Sequence, residues 1–121
     1  MKVRELAKLL GAKVLCGEAE LETAEAEFAY AADLMSDVLA FAQPGTLLLT
    51  GLTNIQIIRT AQMLDLPAVL FVRGKHPQEE MIRLASQVGL PLLVSDKSMY
   101  ETSGIIFQAG LSPCPIPERG E

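Results

Sequence analysis

Apolar positions along this chain fall into two alternating kinds of block: helical stripes and short unbroken runs. The first block is a stripe. Val3, Leu6, Ala7 and Leu10 recur at i, i+3, i+4 and i+7, which predicts a short amphipathic helix that Gly11 is placed to stop. A short apolar stretch over Lys13–Cys16 ends at Gly17. The run from Phe28 to Asp33 reads as a strand, with Asp33 as the expected N-cap of a helix over Leu34–Ala42 and Pro44-Gly45 as the turn after it.

From Thr46 onward the pattern becomes regular. The run Thr46–Thr50 precedes a stripe in Asn54–Leu64 (Ile57, Ile58, Ala61, Leu64), and Leu66–Val72 precedes a second stripe in Pro77–Val88 (Met81, Ile82, Leu84, Ala85, Val88). Leu90–Val94 precedes a last helix from Ser98 to about Ala109. Leu66-Pro67 and Leu90-Pro91 open two of these strands, 24 residues apart, where proline stops the preceding helix from running on. Fully apolar strands alternating with amphipathic helices imply βα units and a mainly parallel sheet covered on both faces. Right-handed crossovers would then gather the strand-to-helix loops at one edge, where α/β folds hold ligands. After residue 111 the pattern ends. Pro113, Pro115 and Pro117 alternate in the tail 112–121, which excludes helix and inner strand and suggests an extended arm.

Composition narrows the function classes. At 121 residues and 13.1 kDa there is room for one domain and not two. Only 5% of residues are aromatic and none is Trp, so the core must be aliphatic. Ten Lys and Arg against fifteen Asp and Glu leave a net charge of −5, which argues against nucleic acid or a membrane surface as partner. Five of those acids (Glu18, Glu20, Glu22, Glu25, Glu27) crowd one segment without the carboxylate order of a Ca²⁺ loop, so a solvated connection is expected there. His76 is the sole histidine, so one chain cannot build a multi-histidine metal site. Cys16 and Cys114 lie far apart with no CxxC spacing; a disulfide between them stays open, and two free thiols in a cytoplasmic chain are the expectation. No apolar run approaches the roughly 18 residues of a membrane span, and Met1–Glu5 lacks a signal peptide's apolar region.

Candidate chemistry is confined to three strand-to-helix loops. Thr50, Gly51, Thr53 and Asn54 form the first, with Thr53 and Gln56 in capping-box spacing; such a helix start can cradle a phosphate or a carboxylate, or simply cap. The second holds Arg73, Gly74, Lys75 and His76 before Pro77, which is expected at the first helical position. Gly74-Lys75 lacks the upstream glycine and the following Ser or Thr of a P-loop. Ser95, Asp96, Lys97 and Ser98 make the third, with Ser98 and Glu101 in capping-box register. No Gly-x-Ser-x-Gly elbow supports a nucleophilic serine, and His76 or Ser95 would each need a partner that spacing does not supply. Each loop alone fits solvent-facing or capping roles. Together they place Arg73, Lys75 and Lys97 beside Thr53 and Asn54, the one concentration that suggests a small anionic ligand.

The residues also carry a resemblance. The opening Met1–Glu18 (MKVRELAKLLGAKVLCGE) looks like the start of DRTGG domains, and Tyr30–Leu39 (YAADLMSDVL) resembles their next helix. Gly45–Gln56 occupies the place of the segment with the family's Asp-Arg-Thr element, and Leu90–Thr102 is similar to the closing strand and helix. Leu52-Thr53 stands where the family usually has Asp-Arg, and Phe71–Gly74 where it has Thr-Gly-Gly. The resemblance covers residues 1–111. It implies a single three-layer α/β/α domain, like the N-terminal domain of HPr kinase/phosphorylase, with a mainly parallel sheet of about 4–5 strands. It further implies an accessory role beside CBS pairs or phosphotransacetylase domains, dimerisation, no cofactor and no catalytic activity of its own. The kinase activity of HPr kinase lies in a separate P-loop domain.

The resulting expectation is a non-enzymatic regulatory or protein-interaction module, homodimeric or paired with another regulatory protein or enzyme. The apolar residues of the last helix (Met99, Ile105, Ile106) would serve either a core or a symmetric interface. The alternative is a sensor of a nucleotide or other phosphate-containing anion at the loop edge. An enzyme using His76 or Ser95 ranks third.

Overall fold

Strands that are apolar at every position can be stable only with cover on both faces. β3 (Thr46–Thr50) and β4 (Ala68–Phe71) meet that condition at all their residues. They form the centre of a six-stranded sheet in a computed structural model that describes residues 1–116. The other strands are β1 (Lys13–Cys16), β2 (Phe28–Ala31), β5 (Leu92–Val94) and β6 (Ser112–Pro113), in the order β1-β5-β4-β3-β2-β6. Every pairing is parallel except that of β1 with β5.

The five helices are α1 (Val3–Leu10), α2 (Met35–Phe41), α3 (Gln56–Met63), α4 (Glu79–Gln87) and α5 (Met99–Gln108). Strand alternation sorts the core into two clusters. Leu48, Val69, Phe71 and Leu92 pack with Val38, Ile57, Ile58, Ala61, Met81 and Ala85 of α2, α3 and α4. Leu47, Leu49, Leu70 and Leu93 pack with Val3, Leu6, Leu10 and Ile106 of α1 and α5. Helices therefore lie on both faces, giving the three layers expected.

Six strands stand where about 4–5 were expected. β6 is the addition, built from the first residues of the Pro-rich tail; Phe28 faces Ser112 and Ala29 faces Pro113. An edge tolerates proline because the missing N–H has no inner ladder to complete. The Cys114 amide donates to the Ala29 carbonyl at 2.9 Å, and the Gln43 side chain donates to Pro115 O at 3.0 Å. Pro117 and the rest of the tail lie outside the described residues.

Three helix starts differ from expectation. Asp33 does not cap α2; Leu34 holds that position, and the Asp33 carboxylate turns instead to the end of β3. Pro77 is buried but precedes α4, whose N-cap is Gln78. In α3 the Thr53–Gln56 box does not form, because the nearer Asn54 Oδ1 accepts from the Gln56 amide at 3.1 Å. Ser98 does cap α5, accepting from the Glu101 amide at 3.1 Å.

The acidic segment is a girdle around α1. The Val3 amide donates to Ala24 O at 3.0 Å, the Ala26 amide donates to Met1 O at 2.8 Å, and Arg4 pairs with Glu22. Its carboxylates are dispersed, Glu22 at Arg4, Glu20 near Gly89 and Glu27 near Gly45, and no group of three or more potential metal ligands occurs among the described residues.

One buried polar atom stands alone. Thr102 is fully buried under α5, and its hydroxyl has no hydrogen-bond partner. An unmet buried hydroxyl costs about 1–3 kcal/mol, whereas an apolar group of the same shape avoids that cost. Thr102→Val should therefore stabilise the domain by about 1 kcal/mol, read as a rise of roughly 4 °C in thermal unfolding; an unchanged or lower midpoint would show that the hydroxyl is satisfied in solution.

Candidate functional site

The C-terminal ends of β2, β3, β4 and β5 meet at one edge, and the loops singled out by sequence follow from there. The chain leaves β4 toward the α4 layer and leaves β5 toward the α5 layer. That divergence makes the β4–β5 boundary the switch point, where a parallel sheet ordinarily opens a ligand crevice. Here main-chain hydrogen bonds link the two diverging loops. The Arg73 amide donates to Lys97 O and the Gly74 amide to Ser95 O, both at 2.8 Å, while the Ser95 amide donates to Phe71 O at 2.9 Å. This lacing requires consecutive left-handed residues, Arg73 at φ 56° and Gly74 at φ 65°. Glycine takes that conformation freely; an arginine there is strained and is held by the two loops around it.

A second knot lies at the end of β3. Asp33 Oδ1 accepts from the Gly51 amide at 2.6 Å and from the Thr50 hydroxyl at 3.2 Å. The Thr50 hydroxyl in turn accepts from the Leu52 amide at 3.1 Å. A carboxylate of the chain itself therefore sits where the loop amides would receive an external anion. Arg73 reaches over from the neighbouring loop. A Cβ added to Gly51 would lie 2.9 Å from the Arg73 guanidinium and 3.4 Å from Asp33 Oδ1, so a side chain there would displace the Arg73 tip from the carboxylate.

The remaining candidates are spread over separate tasks. The Ser95 hydroxyl is buried and accepts from the Lys97 amide at 3.1 Å. Lys97 Nζ turns away to donate to Leu10 O at 2.9 Å, neutralising the carbonyl end of α1. His76 Nδ1 lies 3.0 Å from the Pro77 carbonyl, a contact within its own loop. Ser98 and Asn54 are occupied at their helix starts. Arg73 and Lys75 are exposed, and Thr53 is half-buried. Of the ten candidates, then, the structure brings Thr50, Gly51 and Arg73 together around Asp33, while Lys97 and Ser98 serve α1 and α5. Asp33 is the residue that sequence reading assigned to another task. Its alternation with Ala32 at the end of a strand was the available signal, and the capping pattern obscured it.

Burial, and after it the nearby carboxylates of Glu18 and Glu20, push the Cys16 thiol above its ordinary range, against a lowering backbone hydrogen bond at Leu92. Burial, then Asp37 and Cys114, raise the Tyr30 phenol. Both cysteines are free and buried. A thiol shifted upward is a poor nucleophile.

The sequence profile of the DRTGG domain matches residues 5–109, most of the chain. The chain belongs to the DRTGG-domain family. A solved structure of the CBS and DRTGG domains from the regulatory region of Clostridium perfringens pyrophosphatase, complexed with the activator diadenosine tetraphosphate, superposes with a TM-score of 0.72. It is 17% identical, and the match covers 89% of this chain and 46% of that one, so this chain spans about half of that regulatory region. No curated protein sequence matches. In this DRTGG domain Leu52 follows the Asp33–Gly51 contact, and Arg73-Gly74 laces the β4 loop to the β5 loop.

Two predictions follow from the site's chemistry. Asp33→Ala should cost about 1 kcal/mol in urea unfolding, with Asp33→Asn recovering part because its amide oxygen can still accept from Gly51; full stability in Asp33→Ala would mean the knot contributes nothing. The raised Cys16 and Tyr30 groups are neutral when folded, so stability is intact below the ordinary thiol and phenol ranges and declines as pH rises through them. Urea midpoints should therefore fall above about pH 9; a flat profile from neutrality to pH 10 would contradict it.

Proposed function

We propose that this DRTGG domain is a non-catalytic regulatory or protein-interaction module that works as a homodimer. The observation that carries the reading is the set of main-chain bonds from Arg73 and Gly74 to Lys97 and Ser95. Main-chain bonds tie the two diverging loops together where a ligand crevice ordinarily opens, and the adjoining loop amide is taken by Asp33. An edge tied in this way suits a module that transmits contacts between partners better than one that turns over a ligand. The family match supports the same role, since the similar pyrophosphatase domains form a regulatory region. The partner would be a second copy, alone or together with another regulatory protein or enzyme; the acidic balance of the chain disfavours nucleic acid and membranes.

A sensor of a small anionic ligand is the second reading. It draws on Arg73 and Lys75, which are exposed and form no ion pair among the described residues. On the leading reading, light scattering should give a dimer mass at micromolar concentration. Nucleotides, acyl phosphates, coenzyme A and inorganic phosphate should leave the unfolding temperature unmoved. A ligand present at a hundred times its dissociation constant would add about 2.7 kcal/mol. A shift of that size, abolished by Arg73→Ala with Lys75→Ala, would replace the module with the sensor.

A further inference from the structure

Residues 111–116, which follow α5, reach the sheet only at its edge. Ser112 and Pro113 pair with β2, and both are exposed, as are Pro115 and Ile116. Only Leu111 and Cys114 are buried, and of these only Leu111 belongs to a core cluster. Prolines at 113 and 115 carry no N–H, so the segment can donate from alternate residues only. Gly110 joins it to α5 at φ 103°, and a Cβ added there would meet nothing within 4 Å. That glycine is a pivot with open space around it.

One turn of the chain clasps the segment. The Cys114 thiol donates to Phe41 O at 3.4 Å and accepts from the Thr46 hydroxyl at 3.4 Å. The Gln43 side chain donates to Pro115 O at 3.0 Å, in water's reach. All three partners come from the junction between α2 and β3. Sulfur is a weak donor and a weak acceptor, and an exposed amide bond competes with solvent. The Cys114 amide adds its bond to Ala29 O at 2.9 Å. A unit held by so few contacts opens at lower free energy than the core strands do.

We infer that residues 111–116 form a strap that swings away about Gly110 while β1–β5 and the helices stay folded, and that the Cys114 thiol is its latch. Closed, the strap buries the thiol and covers the outer edge of β2. Open, it exposes both. The freed thiol can exchange with a low-molecular-weight disulfide such as oxidised glutathione. Cys114 gives its proton to water and attacks one sulfur; the mixed disulfide forms as the old S–S bond breaks. The leaving thiolate carries off the electron pair and takes up a proton. A sulfur so enlarged does not fit between Phe41 O and the fully buried Thr46, so the strap stays open until the disulfide is reduced. Thiol oxidation thereby uncovers an unpaired strand edge, the kind of surface that accepts an added strand. The device goes beyond the regulatory-module reading and requires neither the homodimer nor a ligand at the loop edge.

Cys16 is the internal reference. It is buried too, but its sulfur donates to Leu90 O at 3.5 Å within the larger core cluster, on a strand paired along β5.

Wild-type protein treated with oxidised glutathione and then peptide-mapped reads the two thiols separately. Cys114 should be modified at least about tenfold faster than Cys16, at a rate that low urea hardly changes, because strap opening exposes little surface. Gln43→Ala should speed Cys114 about fivefold, as loss of one hydrogen bond predicts. Hydrogen exchange of the modified protein should show protection lost at residues 111–116 and kept in β3 and β4, with reduction restoring it. A Cys114 rate equal to that of Cys16, or one that climbs with urea as steeply as global unfolding, overturns the strap as a separate unit. Protection lost in β3 and β4 as well does the same. Protection retained at 111–116 after modification overturns the latch, and an unchanged rate in Gln43→Ala overturns the clasp.

Discussion

Two-sided burial of β3 and β4 is the constraint on which the rest of the molecule depends. Leu47, Leu48 and Leu49 alternate between the two clusters, so each layer of helices is anchored to consecutive residues of one strand. Burying each such side chain contributes roughly 2 kcal/mol, and neither layer of helices can bury its apolar face without the sheet beneath it. With α2, α3 and α4 committed to one face, α1 and α5 must cover the other. From that division follow the switch point between β4 and β5, the return of α5 to the far edge, and the placement of β6 beside β2.

The same division explains why the loop edge is laced. A switch point leaves two loops diverging, and diverging loops expose main-chain amides that require partners. This chain satisfies them internally. Arg73 and Gly74 adopt left-handed backbone so that their amides reach the β5 loop, and Asp33 supplies the acceptor for Gly51. Most polar side chains at the edge are thereby spent.

Much of this was legible beforehand, for identifiable reasons. Val3, Leu6, Ala7 and Leu10 form a helix stripe whose period admits one reading, and all four are buried as that reading requires. The runs at Thr46–Thr50 and Leu90–Val94 are too apolar for any exposed role. Ser98 caps α5 because its Glu101 partner is local in sequence. Failures occurred where a short polar side chain had a choice. Asp33 could cap the next residues or reach Gly51, eighteen positions away, and nothing local distinguishes the two. Lys97 looked like an edge cation, yet its ammonium serves the end of α1, 87 positions distant.

By itself, then, the sequence determined the layers, the parallel sheet, the aliphatic core and the family, because period and apolarity act locally and are summed over many residues. Only the tertiary structure decided which polar groups are free. Hydrogen-bond partners such as Asp33 and Gly51, or Lys97 and Leu10, are chosen by proximity in space, which no spacing encodes. The tail shows the same boundary. Alternating prolines excluded helix and inner strand, but whether Ser112–Pro113 join the sheet depended on β2 presenting an unpaired edge at the right height.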